Sequence, residues 1–131
     1  MKQYNKYYPE DFKKLRHAGK ISSNCLDFIN EKIKPGLTTN EINEICVNFL
    51  EKNNALSAPF FYRGFPKSVC TSVNHVVCHG IPSDKILKEG DIVNVDVTSF
   101  IDGFHGDTSI KEVTSTLTIS PSFKILSEGI P

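Results

Sequence analysis

The chain has 131 residues, of which 39% are hydrophobic and 23% charged; this is the make-up of one globular domain and excludes a disordered, collagen-like or multidomain protein. Fifteen Lys and Arg balance fifteen Asp and Glu for a formal net charge of zero, so no general attraction draws the chain to nucleic acid or anionic lipid. No apolar run approaches the roughly 20 residues of a membrane helix, and MKQYNKYYPEDFKK at the N-terminus lacks an apolar signal region, so the expected location is cytoplasmic, with no membrane or nucleic-acid partner.

Pro9, Glu10 and Asp11 predict a helix start, because Pro suits the first turn and carboxylates complement the helix dipole. Phe12, Leu15, Ala18, Ile21, Cys25, Phe28, Ile29 and Ile33 then recur at three- and four-residue steps, drawing one apolar stripe on a helix of about six turns. Lys34, Pro35 and Gly36 stop it. Thr38 and Glu41 form a capping box ahead of Ile42, Ile45, Cys46, Phe49 and Leu50, the inner face of a second helix that fades at Asn53 and Asn54. From Ala55 the pattern changes. LSAPFFY, SVCTSV, HVVCHGI and DIVNVDVTSF are short, rich in β-branched and aromatic residues and separated by Gly, Pro and Asn, which predicts strands. Asp84, Lys85, Lys88, Glu89 and Gly90 make a polar connection, and Asp102-Gly103 signals a tight turn. The expected fold is α+β: a single domain over residues 1–131, with helices within about 9–53 packed on a mainly antiparallel sheet from about 55–119. Cys25, Cys46, Cys70 and Cys78 have no CxxC spacing and are expected to be reduced, packed thiols.

If Val93, Val95 and Val97 line one face of a strand, Asn94, Asp96 and Thr98 line the other, which puts a carboxylate in the middle of an apolar strand. With Asp102-Gly103 as a two-residue hairpin loop, Ile101 pairs with Phe104, Thr98 with Asp107 and Asp96 with Ser109. Asp96 and Asp107 then become diagonal neighbours about 7 to 8 Å apart along the backbone, a gap that two carboxylates close around a cation. A bulge at Gly103 or Gly106 shifts this register. No Lys or Arg lies between Asp96 and Ile110 to relieve the repulsion, which favours a metal ion. The alternative has Asp107 capping a turn with Gly106 and Asp96 on a wet sheet face. His79, expected at the end of a strand before Gly80-Ile81-Pro82, either looks into a cleft or is simply packed. His75 carries the same two readings, and His105 is a formal ligand candidate beside Asp107; His17 reads as a surface residue. Tyr62, Phe65 and Cys70 line an apolar pocket or belong to plain core. No glycine-rich phosphate loop, H-E-x-x-H pair, G-x-S-x-G elbow or zinc-type Cys/His cluster is present.

The run YRGFPKSVCTSVNHVVCHGIP, followed by GDIVNVDVTSFIDGFHGDTS, resembles the N-terminal half of the type I methionine aminopeptidases, and LRHAGKISSNCLDFINEKIKPGLTTNEI resembles that family's first two helices. The resemblance covers Asp11 to about Ser109 and implies half of a pita-bread fold. It also implies a metal-dependent hydrolase that removes the initiator methionine from nascent polypeptides, using two divalent ions such as cobalt, manganese, iron or zinc. On the matching positions, Asp96 in NVDVT corresponds to the first carboxylate ligand and Asp107 in HGDTS to the carboxylate that bridges the two ions. His79 in VCHGIP corresponds to the catalytic histidine that contacts substrate near the scissile amide. Tyr62, Phe65 and Cys70 correspond to the pocket for the methionine side chain, and His105 is not a ligand.

The chain departs from that pattern in length. Family members run to about twice as many residues, their second half supplying a histidine and two glutamate ligands and a second substrate-contacting histidine. His75 replaces an acidic residue, and Pro59 stands where some members have a cysteine. Two carboxylates offer four oxygens, whereas two ions need on the order of ten ligand positions. The expectation is a truncated chain with weak metal binding and little activity alone, which associates with a missing second half or with itself. A non-catalytic half-fold that holds peptides or a partner protein is the alternative.

Overall fold

A computed structural model describes residues 6–115. Helix α1 spans Pro9–Asn30; Asp11 accepts a hydrogen bond from the Tyr8 amide at 2.7 Å, which ties its first turn. Ala18, Ile21, Cys25, Leu26 and Ile29 form its buried face. Phe12 and Phe28, expected on that stripe, are 52% and 40% exposed. At 100° per residue they fall on the two flanks of a stripe centred on Ala18, Cys25 and Ile29. Phe28 instead meets Phe49 with ring centroids 5.2 Å apart. The chain turns at Gly36, whose φ of +93° suits glycine, and enters helix α2, Thr39–Lys52. The expected capping box is formed: Glu41 N donates to Thr38 Oγ1 at 3.1 Å and Thr38 N to Glu41 Oε2 at 2.7 Å. These bonds hold the Glu41 carboxyl below its ordinary range.

Four antiparallel strands follow, β1 (Leu56–Ser57), β2 (Cys70–Val73), β3 (Ile92–Ile101) and β4 (Phe104–Val113). The long β3 carries β4 along one side and β2 and β1 along the other. Helix α1 lies against β3 and β4, and α2 against β1 and β2. Val93, Val95 and Val97 point into the layer between sheet and helices, joining Ile21, Ile29, Ile42 and Leu50 in the core. The α+β architecture is as the sequence reads. The part of the expected strand region after residue 115 lies outside the described residues.

Of the expected strands, one is cut short and one is a loop. In LSAPFFY only Leu56–Ser57 pairs with β3, because Phe61 and Arg63 adopt left-handed φ values of +63° and +48° and fold the segment into a 3-10 turn at Tyr62–Gly64. HVVCHGI is a loop. Asn74 takes φ +54° and ends β2, while its side chain bonds Asp91 and the Ile92 amide, both at 2.9 Å. Val77 is left 91% exposed. Of the thiols, Cys25, Cys46 and Cys70 are buried as expected, but Cys78, on that loop, is exposed. A hydrogen bond with Cys25 and burial push the Cys46 thiol up, so it stays protonated and inert. Among the described residues, no helix is long and apolar enough to cross a membrane.

Thr71 is 4% exposed, and its Oγ1 is buried without a hydrogen-bond partner. An orphaned hydroxyl in a core costs more than the methyl that replaces it. Thr71→Val is therefore expected to raise stability by about 1 kcal/mol, read as a higher urea midpoint at unchanged m-value; a lower midpoint would mean that the hydroxyl is satisfied in solution.

Candidate metal centre

The hairpin β3–β4 adopts the register its sequence predicts. Ile101 faces Phe104, Thr98 faces Asp107 and Asp96 faces Ser109, with unbroken pairing from Ile92–Val113 to the turn. Asp102 and Gly103 both take positive φ, +51° and +85°, the geometry of a two-residue turn whose twist matches that of its strands. The pairing contains no bulge at Gly103 or Gly106. Val93, Val95 and Val97 are fully buried, so the strict alternation of β3 turns Asn94, Asp96 and Thr98 to the opposite face. From β2, Cys70 pairs with Asp96 and joins the same face.

Asp96, Asp107, His79, Tyr62, Phe65 and Cys70, all singled out in the sequence, line one cleft of about 840 Å³. Thr98 donates from Oγ1 to Asp107 Oδ1 at 2.8 Å, which fixes that carboxylate's orientation. The sequence placed Thr98 on the correct face and opposite Asp107 but assigned it no task; the cross-strand pairing was the available signal. Burial, followed by the Asp107 charge and a hydrogen bond with Asp107, raises the Asp96 carboxyl to about 6, against a smaller opposing influence of His79. Burial, followed by the charges of Asp96 and Asp107, raises the Cys70 thiol to about 11, so this side chain presents a neutral, apolar surface to the cleft.

His79 reaches the site by a different route from the expected one. It lies on the loop after β2, not at a strand end, and has a left-handed φ of +53°. The next residue anchors the loop to β2: Thr71 N donates to Gly80 O at 2.8 Å, and Gly80 N donates to Ser72 Oγ at 3.1 Å. A Cβ on Gly80 would stand 2.0 Å from Thr71 O, so the approach requires glycine. Arg63 and Ile81, which the residue pattern did not select, also line the cleft, as does His105, which the pattern offered as a ligand candidate and the resemblance did not. The His105 ring rests against Phe100 at 4.8 Å, and Arg63 stacks on Tyr62 at 5.5 Å. His17 and His75 are exposed and lie outside the cleft wall.

A cation fits this donor set. Two carboxylates converge on an apolar-walled cleft whose one Lys or Arg, Arg63, stacks on Tyr62, and the raised Asp96 reflects burial first and then the neighbouring Asp107 charge, a strain that a divalent ion relieves. Among the described residues no group of three or more His, Cys, Asp or Glu is placed to hold a metal, so these two carboxylates alone would make only a partial ligand set.

Comparison with known proteins gives this arrangement a context. The model of metallopeptidase family M24 matches residues 13–116. The methionine aminopeptidase of Rickettsia prowazekii (strain Madrid E) is 55% identical over 112 residues, which cover 86% of this chain and 43% of that protein. The methionine aminopeptidase of Escherichia coli (strain K12) is 50% identical over 113 residues, 85% of this chain and 43% of its own length. The crystal structure of methionine aminopeptidase from Rickettsia prowazekii superposes with a TM-score of 0.84 at 52% identity, over 88% of this chain and 46% of that one. The chain therefore spans less than half the length of the relatives it matches, and its helices-on-sheet fold is the half of the pita-bread architecture that the sequence resemblance implied. With one family model running through both helices and all four strands, the chain belongs to metallopeptidase family M24.

Proposed function

We propose that this chain contributes two metal-ligating carboxylates and the methionine pocket of a methionine aminopeptidase site, which removes the N-terminal methionine of nascent polypeptides. The observation that carries the reading is the convergence of Asp96 and Asp107 on one cleft wall, with the Asp96 carboxyl raised to about 6 by burial and by its neighbour. Asp96 and Asp107 would hold divalent ions, manganese, cobalt, iron or zinc, which carboxylate-rich sites separate poorly by affinity. Bound there, such an ion polarises the peptide carbonyl and lowers the pKa of water.

The remaining steps belong to this chain's own side chains. Thr98 holds Asp107 by a 2.8 Å hydrogen bond and so orients the carboxylate that would hold the ion. Tyr62, Phe65 and the neutral Cys70 receive the substrate's thioether side chain, since sulfur packs favourably against aromatic rings. His79, held by the Gly80 anchor, hydrogen-bonds the substrate near the scissile amide and steadies charge that develops on its carbonyl oxygen. Two carboxylates offer too few oxygens for a dinuclear site, so further ligands would be needed beside them.

The test is an assay of the 131-residue chain with a Met-Ala peptide and added Mn²⁺ or Co²⁺. The expected outcome is weak, millimolar-range metal binding that Asp107→Asn weakens about a hundredfold, with negligible turnover by the monomer. Robust turnover by a verified monomer would overturn the ligand argument, and undiminished metal binding by Asp107→Asn would overturn the site itself.

A further inference from the structure

Ser22 is a buried hydroxyl on α1 that touches nothing in the cleft, yet it joins the helix to the hairpin one register step from the facing pair Thr98 and Asp107. Its Oγ lies 2.6 Å from Gly106 O, 2.8 Å from Ser99 Oγ and 3.1 Å from Ser99 N. Ser99 Oγ lies 2.9 Å from Ala18 O. One arrangement of protons satisfies all of these groups. Ser99 N–H donates to Ser22 Oγ, Ser22 O–H donates to Gly106 O with Ser99 Oγ as its second acceptor, and Ser99 O–H donates to the Ala18 carbonyl. Ser22 and Ser99 are both 0% exposed, so water cannot replace a lost partner.

The position of this network in the sheet gives it a consequence for the site. Ser99 and Gly106 face each other across β3 and β4, one step from the facing pair Thr98 and Asp107. Successive side chains point to opposite faces of a strand; the network therefore grips the underside of the same two strands whose upper side presents Thr98 and Asp107. The grip is close, since a Cβ on Gly106 would stand 2.2 Å from the Ala18 carbonyl carbon. A shift of α1 relative to β4 would be passed directly to the backbone that carries Asp107.

We propose that Ser22 is a positioning residue for the metal-binding pair: by bridging Ser99 N–H and the Gly106 carbonyl it fixes the spacing of β3 and β4 beside Asp107, and with it the placement of Asp107 relative to Asp96. The inference rests on the reading of those two residues as metal ligands, and the test separates the two. Mn²⁺ affinity and site-resolved amide hydrogen exchange are measured on the full chain and on Ser22→Ala, Asp107→Asn and, as a control for general destabilisation, Ile42→Val on α2. Ser22→Ala is expected to weaken Mn²⁺ binding about tenfold and to speed exchange at residues 98–99 and 106–108 about tenfold more than at 93–95. Ile42→Val is expected to lower the melting temperature while leaving the affinity and the exchange contrast unchanged.

Parent-like Mn²⁺ affinity in Ser22→Ala, with binding still lost in Asp107→Asn, overturns the positioning role and leaves the metal reading standing. Equal Mn²⁺ binding by the parent and Asp107→Asn overturns the metal reading; the local exchange contrast then decides alone whether Ser22 fixes the hairpin, and uniform acceleration refutes it. Should Ser22→Ala fail to fold, Ser99→Ala, which removes the hydroxyl that contacts both Ala18 O and Ser22 Oγ and so loosens the bridge, is expected to move both quantities in the same direction by a smaller factor, and no movement overturns the proposal.

Discussion

Replacing Gly106 by alanine is expected to destabilise the chain by at least about 3 kcal/mol, a large part of what a small domain has to lose. The added Cβ would lie 2.2 and 2.3 Å from the carbonyl carbon and oxygen of Ala18 and 2.4 Å from the Gly19 nitrogen. All three are helix backbone, so no side-chain rotamer relieves the clash, and α1 must back away from β4. Retreat stretches the Ser22 bond to Gly106 O and unseats Ile21, Cys25 and Ile29 from the core. Chemical denaturation checks the magnitude, and a loss below about 1 kcal/mol would mean that the helix is not seated this closely in solution. Alanine at Gly80 meets an equally short contact, 2.0 Å to Thr71 O, but on an exposed loop with Val77 at its tip. That substitution is expected to release the loop and His79 with a smaller global cost, because few core contacts depend on it.

The two glycines also mark where sequence reading succeeds and where it stops. The β3–β4 hairpin is legible residue by residue because two independent signals agree. Asp102-Gly103 sets the loop length, and the alternation of Val93, Val95 and Val97 sets the faces; together they leave one register. The juxtaposition of Asp96 and Asp107 follows from that register without reference to any other protein. HVVCHGI misleads because β-branched residues mark a strand only where a neighbouring strand is free to pair with them. Asn74 in the left-handed region directs the chain out of the sheet before these residues can pair. Ser22 and Ser99 stay invisible for a related reason. A serine in a helix or strand reads as polar surface, and only the close approach of α1 and β4, permitted by Gly106, turns the pair into a buried network. The proposed metal-site residues thus came from local pattern and resemblance, while the groups that hold them in place required the fold.

Asp96→Asn is expected to affect the metal-free and metal-loaded chain in opposite directions. Without metal, the Asp96 carboxyl stands at about 6 against an ordinary value of 3.8, raised first by burial and then by Asp107. A folded-state value above the unfolded one means that folding disfavours the charged form. The penalty is complete above pH 6 and is relieved as the pH falls toward 3.8. A displacement of this size corresponds to about 3 kcal/mol for a fully buried group, and partial exposure of Asp96 screens it to about 1 kcal/mol. In EDTA near pH 8 the variant is therefore expected to be more stable than the parent by about 1 kcal/mol, since an amide is neutral and can donate to Asp107. The advantage should vanish as the pH drops below the ordinary carboxylate range. Mn²⁺ at about a hundred times its dissociation constant adds about 2.7 kcal/mol to a chain that binds it only when folded. The parent gains this and the variant does not, so the order of stabilities reverses on titration with Mn²⁺. Thermal melts with and without the ion measure both arms. A variant less stable than the parent in EDTA would show that folding does not disfavour the charged form of Asp96, and equal stabilisation of both chains by Mn²⁺ would show that Asp96 takes no part in holding the ion.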